Sequence, residues 1–492
     1  MRTVMTDLLP VLRLLGALTT MFSLAFLLPA GVSWVQGDGL LGFWLGATGV
    51  TFGAGAWLWG GLHAYRGELR ARHGVILVSA TWLVLPLLAC LPLMMVFHAI
   101  GRELEFSYAY FEAVSGLTTS GATVLQGLDS LPLSINVWRT FLQWIGGMGI
   151  LVLAVAVLPM FGMGGSQMFR AEVAGPIKDN RLTPRITQTA KGLWGIYVTL
   201  SLACFLAYWA GGMTPMDALM HMFTTVSLGG LSSHDSSFGY FDSVLLEGIA
   251  MFFMLAGSGS FALYFVAMRK RSLRICWRDI ELRATMIALV GGGAIVSLVL
   301  WVQGEHAPLD AARHGFFNTI SIGSTTGFAS QDFLLWPAFA PLFMLLLSGV
   351  ATSAGSAGCG IKMVRVLILL KQARREMTRL AHPRAVQPVT MGATVVENRD
   401  IFAVLAFMLV YGGTIIVLGM VMVLSGLDPV TAFSSVIASV NCMGPGLGTV
   451  GPAAHYGVLT EFQVWVCSIA MVLGRLEMLS LIALLTPSFW RH

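Results

Sequence analysis

The amino-acid sequence predicts an all-α integral membrane protein with ten spans, in which two helices precede four repeats of span, short helix and span. Three observations predict this fold class. Of the 492 residues, 56% are hydrophobic and 11% charged, and the mean hydropathy is +0.78, so the chain cannot cover a water-soluble surface. Apolar runs of bilayer length recur along the chain. A glycine-bearing loop returns four times between the later runs, each time behind a short apolar stretch.

The predicted spans are apolar runs that reach about 20 residues, the length that crosses a bilayer. They cover residues 14–35, 41–64, 74–100, 140–162, 192–213, 248–268, 284–304, 333–361, 401–427 and 462–486. Nine of these runs contain no Asp, Glu, Lys or Arg, and the tenth contains Arg475 and Glu477. The first run is too long for the apolar part of a signal peptide and has no A-x-A-like exit, so we expect it to remain as a span.

The basic residues predict the orientation of the chain. The loops after spans 2, 4, 6 and 8 hold 21 of the 29 Lys and Arg residues, and all four loops share one side if the spans alternate. The positive-inside rule places these loops and both termini in the cytoplasm. This bias accounts for the net charge of +5, so nucleic acid is not expected as a partner. Acidic residues dominate the opposite loops: Glu103, Glu105, Asp129, Asp235, Asp242, Glu305, Asp332 and Glu461. They predict either a vestibule that concentrates cations or ordinary solvated loops.

The motif inventory does not favour an enzyme. The six cysteines form no CxxC pair and lie mostly in apolar segments, so we interpret them as small hydrophobic residues. The sequence has no HExxH motif, no close His/Cys cluster and no GxxxxGK[ST] loop for phosphate. No nucleophile and base stand in a recognisable pairing. A polytopic membrane enzyme is therefore the weakest of the functions considered.

Four short apolar stretches on the external side, each about 10–14 residues long, predict re-entrant helices rather than spans. They cover residues 107–117, 217–226, 310–321 and 428–439. Three of them open with an aspartate, Asp217, Asp310 or Asp428. An aspartate in this place suits a helix N-cap and the positive end of the helix dipole. Direct contact between these carboxylates and an ion is the alternative interpretation.

A loop with a glycine in register follows each short stretch. Residues 111–121 and 317–327 share the pattern F-x-x-[VI]-S-x5-G, whereas the copy at 223–230 is three residues shorter and the copy at 433–444 one residue longer. Four such loops around one axis can aim backbone carbonyl oxygens at a dehydrated cation. The loops contain no carboxylate, which favours a monovalent ion. The candidate filter residues are Thr118, Thr119, Ser120, Gly121, Leu228, Gly229, Gly230, Ser324, Thr325, Thr326, Gly327, Asn441, Cys442, Met443 and Gly444.

Two further features predict control of such a pore. Span 8 is interrupted by a run of small residues whose glycines are Gly349, Gly355, Gly358 and Gly360. Its poor helix propensity predicts a broken helix and a gate, and close helix packing is the alternative. The shorter pairs Gly146-Gly147 and Gly257-x-Gly259 predict packing. Arg475 within span 10 predicts either a pore-facing electrostatic barrier or a structural arginine bonded to the broken span 8.

Together these features resemble the TrkH-type members of the Trk/Ktr/HKT superfamily of potassium transporters. The resemblance covers nearly the whole chain and is specific at the four loops, the two extra N-terminal spans and the GPGLG stretch at 444–448. It implies that one chain forms a complete pore with filter glycines at Gly121, Gly230, Gly327 and Gly444, and that glycine at the first of these means potassium. It further implies that the run at 349–360 blocks the pore from the cytoplasmic side, with Arg475 facing the pore. The carbonyls expected to hold K⁺ belong to Thr118, Thr119, Thr325, Thr326, Asn441 and Cys442.

The resemblance also implies an organisation and partners. It divides the chain into two extra N-terminal helices (1–70) and pore repeats at 71–190, 191–282, 283–398 and 399–492. It implies potassium uptake across the bacterial inner membrane by a homodimer, controlled by a cytosolic nucleotide-binding subunit of the TrkA type, with no cofactor on this chain. The basic loops at 269–283 and 362–384 could dock that subunit, although the positive-inside bias explains them equally well. The alternative function is a proton- or sodium-coupled potassium symporter, for which Glu477 is the mid-span carboxylate.

Overall fold

The computed structural model describes residues 2–65, 71–157, 186–385, 387–392 and 394–490, with side chains described at 8–65, 72–147, 191–385, 387–392, 394–478 and 480–490. This part of the chain is predominantly helical. One small antiparallel sheet within it pairs strands β1 (Thr390–Met391) and β2 (Thr394–Val395). The predicted all-α class is therefore confirmed. Parts of the predicted basic loops after spans 2 and 4, residues 66–70 and 158–185, lie outside the described residues.

Three helices come first. They are α1 (Arg2–Ser23), α2 (Leu27–Gln36) and α3 (Leu41–Gly61). A short 3₁₀ turn joins α1 to α2, so the first predicted span is one apolar helical segment. Helices α1 and α3 cross closely, because a Cβ at Gly16 would lie 2.7 Å from the Cβ of Leu58. Small residues at a crossing let two backbones approach, as in other membrane helix pairs.

The remaining helices follow the order that the sequence predicts. They are α4 (Ala71–Ala99), α5 (Phe106–Leu117), α6 (Leu133–Val157), α7 (Ile186–Ala210), α8 (Pro215–Val226), α9 (Val244–Ser258), α10 (Phe261–Arg269), α11 (Arg274–Arg278), α12 (Ile280–Val302), α13 (Pro308–Gly323), α14 (Phe339–Ser348), α15 (Met363–Ala381), α16 (Asn398–Leu424), α17 (Pro429–Asn441), α18 (Glu461–Arg475), α19 (Leu479–Leu485) and α20 (Pro487–Trp490). Helices α5, α8, α13 and α17 are the four predicted short helices, and most of their residues are buried.

Apolar length identifies several membrane-crossing helices in the described part of the chain. Five stretches qualify by length and hydropathy: Leu8–Gln36, Arg72–Ala99, Lys191–Ala210, Ile280–Val302 and Asn398–Leu424. A sixth qualifies if the bent pair α9 and α10 counts as one span. The chain is thus a helical membrane protein, and the total of ten spans stays a prediction.

Three predicted spans differ from the helices observed. Span 6 is broken at Gly259, where α9 and α10 meet at 89°. Span 10 ends as a helix at Arg475, because Glu477 and Met478 have a left-handed backbone and α19 starts a new direction. Span 4 begins earlier than predicted, at Leu133, and so includes a charged residue, Arg139. A charged residue marks the end of a span when only water can solvate it. Arg139 can lie inside the span because it bonds protein side chains instead.

The N-terminal helices are anchored to the repeats through one aromatic cluster. Trp138 of α6 is fully buried, and its ring centroid lies 4.7 Å from that of Phe26 and 5.9 Å from that of Trp44. Its indole nitrogen donates a hydrogen bond to the Ala89 carbonyl of α4 (3.1 Å). A buried Trp that satisfies its N–H fixes the direction of its helix as well as filling volume. Helix α6 is therefore held against the N-terminal helices and α4.

Candidate functional site

Helices α5, α8, α13 and α17 end in the same backbone turn, and a glycine follows each turn. In every copy, the amide of the residue before the glycine donates to the carbonyl five residues earlier. The four hydrogen bonds are Ser120–Ser115 (2.9 Å), Gly229–Thr224 (2.8 Å), Thr326–Ser321 (2.8 Å) and Met443–Ala438 (2.9 Å). The four turns therefore share one register, counted back from the glycine.

The backbone angles repeat as well. All four glycines have a left-handed backbone: Gly121 (φ 81°), Gly230 (75°), Gly327 (93°) and Gly444 (88°). The residue two positions earlier is also left-handed although it carries a side chain: Thr119 (57°), Leu228 (55°), Thr325 (66°) and Cys442 (51°). A left-handed residue with a side chain costs about 1–2 kcal/mol. Its recurrence at one position of four dissimilar sequences indicates a shared functional requirement.

This register corrects one expectation from the sequence. The second copy was expected to have a shortened loop, because only seven positions separate Phe223 from Gly230. The loop itself is full length, since the Gly229–Thr224 bond matches those of the other copies. No position is missing from the helix either, because both helices have 12 residues and end four residues before their glycine, and Phe223 simply lies one turn further along its helix than Phe111 does. Aligning the copies on their phenylalanines is therefore misleading, and the helix ends give the equivalence.

The four glycines lie in a closed ring. A Cβ added at each would press against the carbonyl of the residue that precedes the next glycine. These contacts run from Gly121 to Gly229, from Gly230 to Thr326, from Gly327 to Met443, and from Gly444 to Ser120 at 3.1 Å. A cavity of about 80 Å³ touches all four glycines from the side that carries the loops between short helix and span. All fifteen predicted loop residues are thereby brought to one place, and those other than Gly121, Gly230 and Gly327 are buried.

Side chains in these loops bond to one another and to their surroundings. In the first copy the hydroxyls of Thr118 and Ser120 bond at 2.9 Å, and the equivalent pair Ser324 and Thr326 bonds at 2.8 Å. In the fourth copy Asn441 accepts a hydrogen bond from the Tyr411 hydroxyl (2.7 Å) and donates to the Ser348 hydroxyl. These polar side chains are thus engaged with one another or with side chains of neighbouring helices.

The stretch after each glycine is tied back to its own short helix in three copies. Glu112 accepts a hydrogen bond from the Val124 amide (3.0 Å). Asn318 accepts one from the Ser330 amide (3.2 Å), and Ser434 accepts one from the Leu447 amide (2.9 Å). The amide involved lies three residues after the glycine in each case. In the second copy the corresponding helix position is His221, whose Nε2 lies 3.0 Å from the Ser232 hydroxyl.

Span 8 has the predicted break. Residues 349–362 are not helical, and they separate α14 from α15. The break closes on itself, because the amides of Ile361 and Met363 donate to the carbonyls of Gly349 (2.6 Å) and Thr352 (2.7 Å). Gly355 and Gly360 have a left-handed backbone, with φ of 73° and 88°.

The broken stretch lies directly against a filter loop. A Cβ at Gly358 would lie 2.8 Å from the Thr325 hydroxyl and 3.3 Å from the Ser324 carbonyl oxygen. Its other side is held by Glu281 at the start of α12, whose carboxylate accepts the amides of Ala354 (2.6 Å) and Val364 (3.2 Å). Residues 349–362, which we call the plug, therefore form a packed segment with hydrogen-bonded edges, rather than two helices in close contact.

The smaller glycine pairs pack as the sequence predicts. A Cβ at Gly146 would overlap the Leu117 carbonyl at the end of α5, and one at Gly474 would overlap the Val440 carbonyl at the end of α17. At Gly257 a Cβ would lie 3.4 Å from the corresponding Val226 carbonyl. Gly259 has a second role, because it stands at the 89° bend between α9 and α10.

Arg475 lies where the first glycine loop meets residues 349–362. The side chain is buried, with 4% exposed. Its Nη1 donates to the Thr119 hydroxyl (3.0 Å) and the Ala357 carbonyl (2.9 Å), and lies 3.4 Å from the Cys359 sulfur. Its Nη2 donates to the Gly146 carbonyl (3.0 Å). One guanidinium thus bonds the first filter loop, the broken span 8 and α6. Of the two roles predicted, these contacts match the arginine bonded to the broken span.

Glu477, the other charge of span 10, faces elsewhere. Its carboxylate lies 2.5 Å from the Nη2 of Arg365 in α15, and 36% of its side chain is exposed. The pair joins the end of α18 to the helix that follows the plug.

The aspartates of the short helices behave differently from the prediction. Asp428 is an N-cap, accepting the Thr431 amide (2.9 Å). Asp217 lies inside the first turn, where Thr214 is the cap, and Asp310 follows an N-cap of Ala307. A proline at the first helical position shifts each helix start upstream of the aspartate. The capping interpretation is therefore wrong for Asp217 and Asp310.

On the predicted external face, acidic residues pair with basic ones. His234 bonds both Asp129 and Asp217, the latter at 3.2 Å, and its ring stacks on Tyr240. Burial alone would lower the pKa of His234, but hydrogen bonds to the two carboxylates outweigh it and raise the pKa. Burial would raise the pKa of Asp129, yet the hydrogen bond from His234 lowers it. The predicted vestibule is thus partly neutralised, as it is where Arg313 bonds Asp242 (2.7 Å).

Sequence reasoning missed the polar anchors behind the ring. Glu112 interrupts an apolar stretch and Arg139 directly precedes one, which is a visible signal of a buried charge. Gln143 within span 4 carries no such signal. Among the described residues, no group of three or more His, Cys, Asp or Glu side chains is placed to hold a metal ion. The six cysteines, all within the described ranges, are free thiols.

Helices of membrane length around a buried ring of four re-entrant loops define a polytopic membrane transport protein. The sequence profile of the family described as TrkH, cation transport protein, matches residues 47–491. The chain belongs to the TrkH family, whose members are transporters rather than enzymes.

Individual relatives agree over nearly full length. The chain is 44% identical to the Trk system potassium uptake protein TrkH of Halomonas elongata, over 98% of this chain and 99% of the relative. It is 40% identical to the protein of the same name from Escherichia coli K12, with the same coverage. The crystal structure of the potassium transporter TrkH from Vibrio parahaemolyticus matches with a TM-score of 0.90 and 38% identity, over 98% of this chain and 99% of that one.

Proposed function

We propose that this protein takes up potassium across the bacterial inner membrane through a selective pore formed by one chain. The observation that carries the proposal is the closed ring of Gly121, Gly230, Gly327 and Gly444, four loops with one backbone conformation. We infer that the ion is potassium because the relatives are named potassium uptake proteins. Potassium is the transported substrate, and no cofactor on this chain is required.

The chemistry of the ring fits a monovalent cation. Left-handed residues at the glycine and two positions before it let successive carbonyls of one loop turn toward a common axis. The carbonyls of Thr118, Thr119, Thr325, Thr326, Asn441 and Cys442 are the proposed ligands. The dipole ends of α5, α8, α13 and α17 face the same place with their negative poles, which favours a cation there. Carboxylates, which divalent ions usually require, are absent from the loop sequences.

We propose that residues 349–362 are the gate and that Arg475 is its latch. The gate glycines Gly349, Gly355, Gly358 and Gly360 allow the backbone to fold beneath the third loop. Conduction requires the plug to leave Thr325, and the bonds from Arg475 to Ala357 and to Thr119 oppose this movement. The charge of the guanidinium adds an electrostatic barrier to a cation below the filter.

The proposed organisation follows the repeats. The two N-terminal helices (1–70) precede pore repeats at 71–190, 191–282, 283–398 and 399–492, with ten spans and both termini in the cytoplasm. A homodimer in the lipid bilayer and a cytosolic nucleotide-binding subunit of the TrkA type are the proposed partners. The basic helix α15 continues from the plug toward the cytoplasm, so it offers that subunit a direct mechanical connection to the gate.

The proposal is tested by rubidium uptake into cells that lack their own potassium uptake systems. The full chain should restore uptake, and an empty vector should not. Absence of flux with the protein confirmed in the membrane would overturn the proposal. Purified protein in liposomes, measured with and without an imposed pH gradient, separates a pore from the symporter, because only a proton-coupled carrier needs the gradient.

A further inference from the structure

Helix α6 carries two buried polar side chains on one face. Arg139 is 1% exposed and Gln143 is 0% exposed. They are four residues apart and so lie one above the other along the helix. A buried polar group in a membrane protein destabilises the fold unless its hydrogen bonds are made. The partners of these two side chains therefore reveal what α6 holds in place.

Arg139 is bonded to the first pore loop. Its Nε donates to Glu112 of α5 at 2.6 Å, and both side chains are fully buried. Its Nη2 donates to the Thr123 hydroxyl (2.9 Å), two residues after the first filter glycine. Glu112 in turn accepts the amide of Val124 (3.0 Å). The ion pair thus fixes the chain where it leaves the first filter loop.

The same guanidinium reaches the second loop. Its Nη1 lies 3.4 Å from the Ser232 carbonyl oxygen, two residues after Gly230. Thr123 and Ser232 hold equivalent positions in their copies. Arg139 therefore stands between two neighbouring loops and contacts both at the same level of the ring.

Gln143 holds the second loop on both sides of its glycine. Its Nε2 donates to the Gly229 carbonyl (2.7 Å), and its Oε1 accepts the Leu231 amide (3.2 Å). A Cβ at Gly229 would overlap the Gln143 side chain, so this position is tightly packed. The Gly229 carbonyl is also the group against which Gly121 of the first loop packs. Gln143 therefore sets the orientation of a carbonyl at the contact between the first and second loops.

We propose that Arg139 and Gln143 are positioning residues for ion selectivity, because α6 fixes the spacing of the first and second filter loops. This rests on the proposed function of the ring. Discrimination between K⁺ and Na⁺ depends on the position and field of the loop carbonyls. Buried hydrogen bonds from a rigid helix keep those carbonyls from closing around the smaller ion.

The first experiment uses Gln143→Leu, which keeps the volume of the side chain and removes both hydrogen bonds. Its matched control is Gln303→Leu, the same change at an exposed position at the end of α12. Rubidium uptake and sodium uptake are measured per amount of protein in the membrane. The K⁺/Na⁺ ratio is expected to fall about tenfold in Gln143→Leu, a loss equivalent to about 1.4 kcal/mol, and to stay unchanged in the control.

The second experiment separates positioning from fold stability. Glu112→Gln, Arg139→Gln and the double variant are compared with Arg313→Gln, which breaks a different ion pair that lies away from the ring. Each single variant at the first pair leaves one buried charge unpaired, so the double variant is expected to retain a higher K⁺/Na⁺ ratio than either. Arg313→Gln is expected to change the amount of protein and leave the ratio unchanged.

The outcomes are decisive in both directions. Wild-type flux together with an unchanged ratio in Gln143→Leu overturns the positioning role and leaves the proposed function standing. If Arg139→Gln does not fold and the double variant has the same K⁺/Na⁺ ratio as the wild type, the ion pair contributes to stability alone. Absence of flux in the wild type overturns the proposed function and this inference together.

Discussion

The four filter loops and the four segments that follow them differ in how closely they repeat. The loops have the same hydrogen bond at the helix end and the same two left-handed positions, although their sequences differ. The segments beneath the loops differ from one another. In the first copy α6 is continuous in its described part, and in the second the chain bends by 89° after α9. In the third copy the helix is interrupted for fourteen residues, and in the fourth α18 ends at Arg475.

This contrast separates two requirements. The proposed coordination of one ion by four loops demands equivalent backbones around an axis, whereas the side chains of the loops can differ. Closing a pore needs a single segment that moves, and symmetry gives no advantage there. The four loops therefore repeat one structure, whereas the four segments beneath them differ. Four changes test that distinction.

The largest effect is expected from serine at a filter glycine. Gly121→Ser places a side chain at a φ of 81° and against the Gly229 carbonyl, so strain and overlap add. The K⁺/Na⁺ uptake ratio should fall about a hundredfold, from the roughly 3 kcal/mol that a left-handed side chain and overpacking cost together. Gly230→Ser and Gly327→Ser should match it, whereas Gly444→Ser should be milder because its contact is 3.1 Å.

The control for this series is Gly101→Ser. Gly101 has a similar φ of 74°, and a Cβ there would meet nothing within 4 Å. It therefore reproduces the backbone strain without the contact between loops. A ratio that remains at the wild-type value in Gly121→Ser would remove Gly121 from the filter.

A smaller effect is expected at the latch. Arg475→Ala removes the bonds to Thr119 and Ala357, so rubidium flux should rise about tenfold, since hydrogen bonds to a charged group contribute about 1.5–3 kcal/mol each. Arg475→Lys keeps the charge and loses the fork of donors. High flux in both variants supports a latch. High flux in Arg475→Ala with low flux in Arg475→Lys supports a charge barrier. Loss of folded protein without extra flux argues for a structural role.

A weaker release is expected at the other edge of the plug. Glu281→Ala frees the amides of Ala354 and Val364 while the Arg475 bonds remain. Flux should rise about threefold, because the loss of one or two hydrogen bonds shifts the closed state by about 0.5–1.5 kcal/mol. Glu397→Ala, an exposed carboxylate that precedes α16, is the matched control and should not change flux. Equal flux in the two variants would show that the plug is held without Glu281.

The smallest effect concerns pH and tests the external loops. The raised pKa of His234 gives stability that is complete below its ordinary value of 6.5 and is lost as the pH rises through the raised value. The lowered pKa of Asp129 gives stability that is present above 3.8 and is lost as the pH falls through the lowered value. The stabilising contributions of His234 and Asp129 are therefore both present between pH 3.8 and pH 6.5.

We therefore expect a melting temperature in detergent about 1–2 °C higher at about pH 6 than at about pH 9, and His234→Gln should abolish the difference. His455→Gln is the control, because burial lowers the pKa of His455 and its contribution has the opposite sign. A difference that persists in His234→Gln would assign the pH dependence to other groups.

Much of this architecture follows from local sequence. Three of the four short helices begin at a proline, and all four end just before a glycine-bearing loop, so their lengths were predictable to a few residues. The break at 349–362 was predictable because a run of small residues cannot compete as a helix. The bend at Gly259 was not, because a single glycine in an apolar run is compatible with a straight helix.

The anchors of the ring depend on contacts that sequence does not encode locally. Arg139 and Ser232 are 93 positions apart, and Gln143 and Gly229 are 86 apart. Arg475 and Thr119 are 356 apart. Hydropathy identified Arg475 as unusual, but only the folded chain shows that it is bonded to the plug. The left-handed Leu228 and Cys442 likewise could not be predicted, since neither residue favours that conformation.

The position that Arg475 occupies beneath the loops is not equivalent in the four copies. By their contacts with the helix ends, Gly146, Gly257 and Gly474 correspond, so Arg475 takes the place that Gly147 and Ser258 occupy in other copies. In a pore of four identical subunits, the same residue would enter four times, and four guanidinium groups a few ångströms apart would repel one another and every passing cation. A chain that carries all four copies can place one positive charge there, bonded to neutral oxygens, which an assembly of identical subunits cannot do.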